Sequence, residues 1–152
     1  MMTIEITAWD ELVAESHYKT IDCIKERIDL YDYDNALIGL DILYQNMAKK
    51  DQREFRSFLV LAMMHILKWK YQSEKQSYSW AKTIRNARQE MTDIMEDVPS
   101  IGREYIESVW QKCFDRAIEN AKIDMRRSKK DIFEPEILTW EQVFEDEYLI
   151  EN

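Results

Sequence analysis

The chain has 152 residues, 45% of them hydrophobic, and it carries a net charge of −9 with only 2 Gly and 2 Pro. This length and apolar content predict one folded domain over residues 1–152 and exclude a disordered chain. Average usage would be about 7% Gly and 5% Pro. Their scarcity excludes a turn-rich fold and predicts long helices with short connections.

The charge is unevenly distributed along the chain. A uniformly acidic protein is a poor candidate for binding nucleic acid, but residues 68–88 and 122–130 are two basic islands. Residues 131–152 contain no Lys or Arg. Two hypotheses follow: the islands meet as one basic patch, or the acidic C-terminal segment neutralises them.

We expect a cytoplasmic protein without a membrane partner. The longest uncharged apolar run, Phe58–Leu67, is shorter than the ~20 residues that span a bilayer. The N-terminal sequence has neither the positive region nor the apolar region of a signal peptide. Cys23 and Cys113 are far apart and in no paired motif, which predicts reduced thiols.

The first predicted helical region starts near Thr7, a possible N-cap residue. An apolar stripe then runs from Val13 to Tyr31 at spacings of three and four. A break near Ser16–Thr20 would divide this region into two helices. His17 lies on the stripe, and we interpret it as a packed residue rather than a ligand.

A second helix is predicted after Asp32. Its apolar stripe consists of Tyr33, Leu37, Leu40, Tyr44 and Met47. Ile38, Ile42 and Leu43 widen this stripe, which predicts a helix that is packed on more than one side.

A separate central helix is predicted to start at Asp51, because Asp51 and Glu54 resemble a capping box. The middle of this helix, Phe58–Leu67, has His65 as its one polar residue. A segment that is apolar on nearly all sides predicts a helix surrounded by other helices.

Three further helices are predicted. Ser77 or Ser79 caps the fourth, which Pro99 ends. Ser100 caps the fifth, which ends in the cations of 126–130.

A loop over residues 131–139 follows, and Thr139 with Gln142 forms a capping box before a short last helix. Together these elements predict an all-α fold: a single-domain helical bundle of five to six helices whose short C-terminal helix folds back on it.

The chain offers no motif that predicts a catalytic residue, a metal site or a cofactor. Neither His17 nor His65 has the helical spacing to other ligands that would direct two of them at one ion. A Gly-rich phosphate loop is excluded by the two isolated glycines. Both cysteines lie on or beside apolar stripes, where a thiol is inert.

One cluster of polar and aromatic residues flanks the turn between the central and fourth helices, which a short connection makes antiparallel neighbours. Basic side chains interleaved with tryptophan can bind an anion or stack a base. The candidate binding residues are His65, Lys68, Trp69, Gln72, Trp80, Arg85 and Arg88. The alternative is that Trp69 and Trp80 belong to the core and the cations pair with the acidic segment.

These residues also carry a family resemblance. The segment HILKWKYQ (65–72), then Ser79-Trp80, Thr83-Ile84-Arg85 and Arg88, resembles the bacterial family known as domain of unknown function 29. The segments REFRSFL (53–59) and WEQVFEDEYL (140–149) agree as well, so the resemblance covers about residues 36–149. It implies an all-helical bundle and no activity; some family members look like toxin–antitoxin partners.

The chain departs from the family pattern at residues 38–45, IGLDILYQ. The family has a glutamate-rich run here, whereas this chain has only Asp41. The extra Ile and Leu side chains suggest more packing or a partner surface.

Three hypotheses about function remain. The first is a non-catalytic interaction module that binds a protein partner, such as one of a toxin–antitoxin type, or a second copy of itself. The second is a small-molecule or nucleotide site, with His65 transferring a proton and Arg85 and Arg88 holding an anion. The third is nucleic-acid binding through 68–88 and 122–130.

Overall fold

The computed structural model describes residues 6–128 and 130–151. In this part of the chain there are six α-helices and no strand, so the predicted all-α class is confirmed. The helices are α1 (Ile6–Glu15), α2 (His17–Asp29), α3 (Tyr33–Tyr71), α4 (Tyr78–Asp97), α5 (Arg103–Asp124) and α6 (Trp140–Phe144), with a 3₁₀ turn at Ser73–Lys75.

The chain divides into two compact units, Met1–Asp51 and Gln52–Asn152. We call them unit 1 and unit 2. Helix α3 contributes its first part to unit 1 and its last part to unit 2. The single domain over residues 1–152 stays a prediction.

Unit 1 has a small apolar core. Its buried members come from α1, α2 and α3 and are Trp9, Val13, Ile24, Ala36 and Leu43. The indole of Trp9 is fully buried and packs on Gly39, where an added Cβ would lie only 2.6–2.9 Å from three ring carbons. Gly39 is therefore required by close packing rather than by a turn.

The break near Ser16 is confirmed. Ser16 is the N-cap of α2, with an extended backbone and a hydroxyl that accepts from the Lys19 N–H at 3.2 Å. Thr7 was wrongly predicted as the N-cap of α1, since it lies inside this helix, which the structure describes from Ile6 onward. His17 is half-buried, and its Nε2 lies 2.8 Å from Oδ1 of Asn46.

The predicted helix start at Asp51 was wrong, because α3 runs without interruption from Tyr33 to Tyr71. No Pro lies in this helix, and its one Gly, Gly39, packs against Trp9. A carboxylate followed by Glu three residues later is also tolerated inside a helix. The resemblance to a capping box therefore did not mark a boundary.

Two helices end in the same way although neither has a Gly at the turn. Tyr31 after α2 and Arg126 after α5 have positive φ values of 59° and 54°. In each case the next N–H donates to a carbonyl five residues back, from Asp32 to Arg27 and from Arg127 to Lys122. These are Schellman turns, in which Gly is the usual residue.

Unit 2 has a larger core built by the last part of α3 together with α4, α5 and α6. Phe55, Leu59, Met63 and Ile66 of α3 are fully buried there, which confirms the expected central helix. Helix α6 folds back on this core through Val143, which is also fully buried. Its predicted capping box, Thr139 with Gln142, is confirmed.

The boundaries of α4 and α5 were predicted with unequal success. Ser77 caps α4, and the helix ends before Pro99, as predicted. The N-cap of α5 is Gly102 rather than Ser100. The reason is the burial of Ile101, whose N–H donates to Val98 in a tight turn.

Candidate functional site

The predicted binding residues lie in unit 2, but the structure divides most of them between two neighbourhoods. We call them the Lys68 cluster and the Arg88 cluster. The Lys68 cluster consists of His65, Lys68, Trp80 and Asp124, and the Arg88 cluster consists of Trp69, Arg85, Arg88 and Tyr148.

The centre of the Lys68 cluster is a buried lysine that already has partners. Its Nζ donates to Oδ2 of Asp124, the last residue of α5, at 3.1 Å. The same ammonium lies 4.6 Å from the ring centroid of Trp80 on α4. Lys68 therefore connects α3 to α4 and α5, and its charge is compensated within the protein.

His65 lies beside this pair with a defined tautomer. Its Nδ1–H donates to the carbonyl of Leu61, one turn earlier, at 3.0 Å. Burial lowers the pKa of His65; the Leu61 bond opposes this, nearby Lys68 lowers the pKa further and Asp124 raises it. The imidazole is thus neutral at pH 7, with Nε2 as an acceptor.

Trp69 and Gln72 both make contacts within the protein. Trp69 is buried, as the core alternative expected, and its ring packs edge-to-face on Tyr148 with centroids 5.8 Å apart. Gln72 connects α3 to the 3₁₀ turn, and its N–H donates to the Lys68 carbonyl at 2.8 Å. Gln76 then donates from Nε2 to the Trp69 carbonyl at 3.1 Å, which fixes this turn.

Arg88 holds the end of α6. Its guanidinium donates to two carbonyls in the last turn of that helix, those of Gln142 at 3.0 Å and Val143. These carbonyls lack partners inside the helix and carry its negative dipole end, so a cation is favourable there. Burial lowers the pKa of Arg88, while Tyr148 and Asp146 raise it.

Tyr148 is the member of the Arg88 cluster that comes from the C-terminal segment, and it contacts both Arg88 and α6. Its hydroxyl donates to the Gln142 carbonyl at 2.7 Å, and its ring lies 5.3 Å from the Arg88 guanidinium carbon. Burial raises the pKa of Tyr148 to about 12. Sequence analysis missed this residue because nothing local to it indicates a contact with α3 or α4.

An open groove of about 330 Å³ brings two predicted residues together. Arg85 is exposed and lines this groove with Arg88 and Lys82, opposite Glu147 and Tyr148 of the C-terminal segment. Three cations beside one carboxylate can attract a small anion. His65, Lys68, Trp69, Gln72 and Trp80 are not among its lining residues.

A second groove of unit 2, about 480 Å³, was not anticipated from the sequence. The indoles of Trp110 and Trp140 stack there with centroids 5.9 Å apart, and Arg103 covers Trp140 at 4.3 Å. Trp110 also donates from Nε1 to the Leu138 carbonyl at 2.9 Å. These contacts fasten the segment before α6 to α5, so the aromatic pair is structural.

The second stripe predicted from the sequence lies in unit 1, and the structure leaves it exposed. We call it the α3 stripe: Tyr33, Leu37, Leu40, Tyr44 and Met47. Their exposed fractions run from 47% for Leu40 and Met47 to 60% for Leu37. The three residues that were predicted to widen the stripe, Ile38, Ile42 and Leu43, do pack on the core of unit 1, whereas the stripe itself stays exposed.

Metal ligands and thiols are two further kinds of candidate site residue. No group of three His, Cys, Asp or Glu side chains among them could hold a metal ion. Burial raises the pKa of Cys23 and Cys113, and both thiols are free. Both thiols are therefore mainly protonated at neutral pH.

None of the described helices combines the length and apolarity that crossing a membrane would require.

Comparisons with known proteins give a single assignment. No curated protein and no solved structure matches the chain. The model of one family, described as domain of unknown function DUF29, matches residues 14–149. This match confirms the resemblance seen from residue 36 onward and extends it through α2. The chain belongs to the DUF29 family.

Proposed function

We propose that the protein is a non-catalytic protein-interaction module and that the α3 stripe is its binding surface. The observation that carries this proposal is the exposure of five large apolar side chains on one helix face. Burying such a surface is favourable by roughly 25 cal/mol per Å². Contiguous exposed apolar patches mark interaction sites more often than single exposed residues do.

The position of the stripe supports the same proposal. It includes Leu37, Leu40 and Tyr44, which lie in or beside the segment where the family has its glutamate-rich run. Apolar residues in place of charged ones give this chain a surface that suits a protein partner. The toxin–antitoxin likeness of some relatives makes the second protein of such a pair the first partner to test.

The test compares the wild type with Leu37→Glu/Tyr44→Glu in a pulldown from native lysate and in light scattering of the purified protein. Both side chains are about 60% exposed, so we expect an unchanged circular dichroism spectrum. We expect the wild type to retain a partner, or to self-associate, and the variant to do neither.

The matched control is Ile123→Glu/Ile132→Glu, since these two side chains of unit 2 are exposed by 73% and 80%. It should behave like the wild type. A strictly monomeric wild type without a partner, or a partner retained equally by the stripe variant, would count against the proposal.

A second candidate function is the binding of a small anion, such as a nucleotide phosphate, in the groove that Lys82, Arg85 and Arg88 line. Arg88 also stabilises α6, so Arg85→Ala is the informative variant. Calorimetric titration with phosphate or ATP should show binding that Arg85→Ala loses and Arg85→Lys partly retains. No heat with the wild type would remove this candidate.

Nucleic-acid binding has the least support. In the two basic islands, Lys68 is paired with Asp124 and Arg127 lies 3.8 Å from Asp131. Binding through the remaining cations would weaken steeply with salt. The absence of a mobility shift at low salt would remove this hypothesis.

A cytoplasmic location belongs to the same proposal. The free thiols Cys23 and Cys113 support it, because reduced cysteines are typical of reducing compartments.

A further inference from the structure

The spacing of the residues in the α3 stripe indicates which secondary structure can pack against it. Tyr33, Leu37, Leu40, Tyr44 and Met47 follow one another at four, three, four and three residues. This is the period of a coiled-coil seam, in which the apolar positions of one helix pack against those of another. At 1.5 Å per residue the seam is about 21 Å long, or four turns of a facing helix.

The two edges of the seam differ in charge. Asp34 and Asp41 lie seven residues apart along one edge, and both are exposed. The other edge is occupied by Ala36 and Leu43, which are buried in the core of unit 1. A helix that covers the seam therefore meets two carboxylates along its open side.

A second copy of the chain is a poor match for this arrangement. In an antiparallel pair centred on Leu40, Asp41 would face Asp41 of the copy. In a parallel pair in register, Asp41 would face Ala36 of the copy, which carries no charge, and Asp34 would lie before the start of the facing α3. Neither register supplies a cation, and the antiparallel one adds a repulsion.

We propose that the α3 stripe binds an amphipathic helix of another protein whose apolar seam is edged by lysine or arginine. This inference rests on the proposed function of the stripe as a protein-binding surface and names the chemistry of its partner. Apolar contact supplies the affinity. The cations opposite Asp34 and Asp41 select the partner and its orientation.

The test uses two fluorescently labelled peptides of three heptads with the same leucine seam, one with lysine and one with glutamate at both edges. Fluorescence anisotropy measures their binding to the full chain. We expect the lysine-edged peptide to bind about tenfold more tightly at low salt. This preference should shrink as the salt concentration rises.

Two variants test which residues cause the preference between the peptides and which cause the binding itself. Asp34→Asn/Asp41→Asn should remove the preference between the peptides, whereas Leu37→Glu/Tyr44→Glu should abolish binding of the leucine seam. The charge-matched control, Glu104→Gln/Glu119→Gln, removes two exposed carboxylates of α5 and should keep the preference. A preference lost equally in the control would overturn the local role of Asp34 and Asp41.

The outcomes separate this inference from the proposed function. Equal binding of both peptides, lost in Leu37→Glu/Tyr44→Glu, overturns the basic partner but keeps the stripe as a binding surface. Self-association that the same variant loses overturns it in favour of a second copy. Binding that this variant leaves unchanged overturns both.

Discussion

The two halves of α3 have apolar residues at the same spacing, but one half buries them and the other leaves them exposed. In unit 2, Leu59 and Met63 are completely buried, whereas in unit 1 Leu40 and Tyr44 are about half exposed. The difference lies in the neighbours. Among the described residues, α4, α5 and α6 surround the second half within unit 2, while the core of unit 1 uses only α1 and α2 beside the first.

This contrast shows why a helical apolar stripe does not by itself indicate a core. An apolar stripe shows only that this face of the helix can be buried. The number of helices available to cover it decides whether it is buried inside its own unit or left for a partner. Four experiments test the packing of the two units.

The largest expected effect comes from shortening matched leucines in the two halves. Leu59→Ala should lower the free energy of unfolding by about 2–5 kcal/mol, because it leaves a cavity in a fully buried site. Leu40→Ala should change it by less than about 0.5 kcal/mol. Urea denaturation measures both, and equal losses would show that the α3 stripe is packed within the chain.

A smaller effect is expected where α3 meets Trp9. Gly39→Ala should destabilise the protein by about 1–3 kcal/mol, since its Cβ would meet three indole carbons at 2.6–2.9 Å. At Gly102 an added Cβ meets only the Pro99 carbonyl at 3.8 Å. Gly102→Ala should therefore cost less than about 1 kcal/mol, as a weaker N-cap, and thermal unfolding of both variants tests the difference.

The two Schellman turns allow a gain of stability in each unit. Tyr31→Gly and Arg126→Gly should each raise stability by about 1 kcal/mol, because the left-handed backbone there is strained for other residues. Urea midpoints of the two variants and of their combination measure this gain. Destabilisation by both would show that the side chains contribute more than the strain.

The smallest effect concerns pH. The pKa of His65 is lower in the folded protein than its usual value of about 6.5. Its stabilising contribution is therefore present above pH 6.5 and is lost as the pH falls toward the folded pKa, because the unfolded chain takes up the proton first. His65→Gln should lose less stability than the wild type between pH 7.5 and 5.5.

Proton NMR of the imidazole signals provides the direct measurement for His65. The signal that is missing in His65→Gln belongs to this residue, and its midpoint should lie below 6.5. A midpoint above that value would mean that Asp124, rather than burial, controls the ring.

Helix class and several boundaries follow from the sequence because their causes are local. Ser16, Ser77 and the Thr139 capping box each satisfy backbone N–H groups within one turn, and Pro99 disfavours helical backbone at Val98, the residue before it. The boundary at Asp51 was wrong because its motif fits a helix interior equally well. The predicted N-cap at Ser100 was wrong because Ile101 is buried and α5 starts after Gly102.

The candidate site was predictable only where its residues share a helix. Arg85 and Arg88 are three residues apart on α4 and do line one groove. The partners that occupy Lys68 and Arg88 are Asp124 and the end of α6, both more than fifty residues away in sequence. No local pattern identifies contacts at that separation, so the sequence could not show that Lys68 and Arg88 already have partners within the protein.

Local sequence signals establish that this chain is helical, where most of its helices begin and end, and the family to which it belongs. Which apolar faces are buried and which cations are compensated is known only from the folded structure. Caps and periodicity act within a few residues. Burial and ion pairing depend instead on which helices the fold brings alongside.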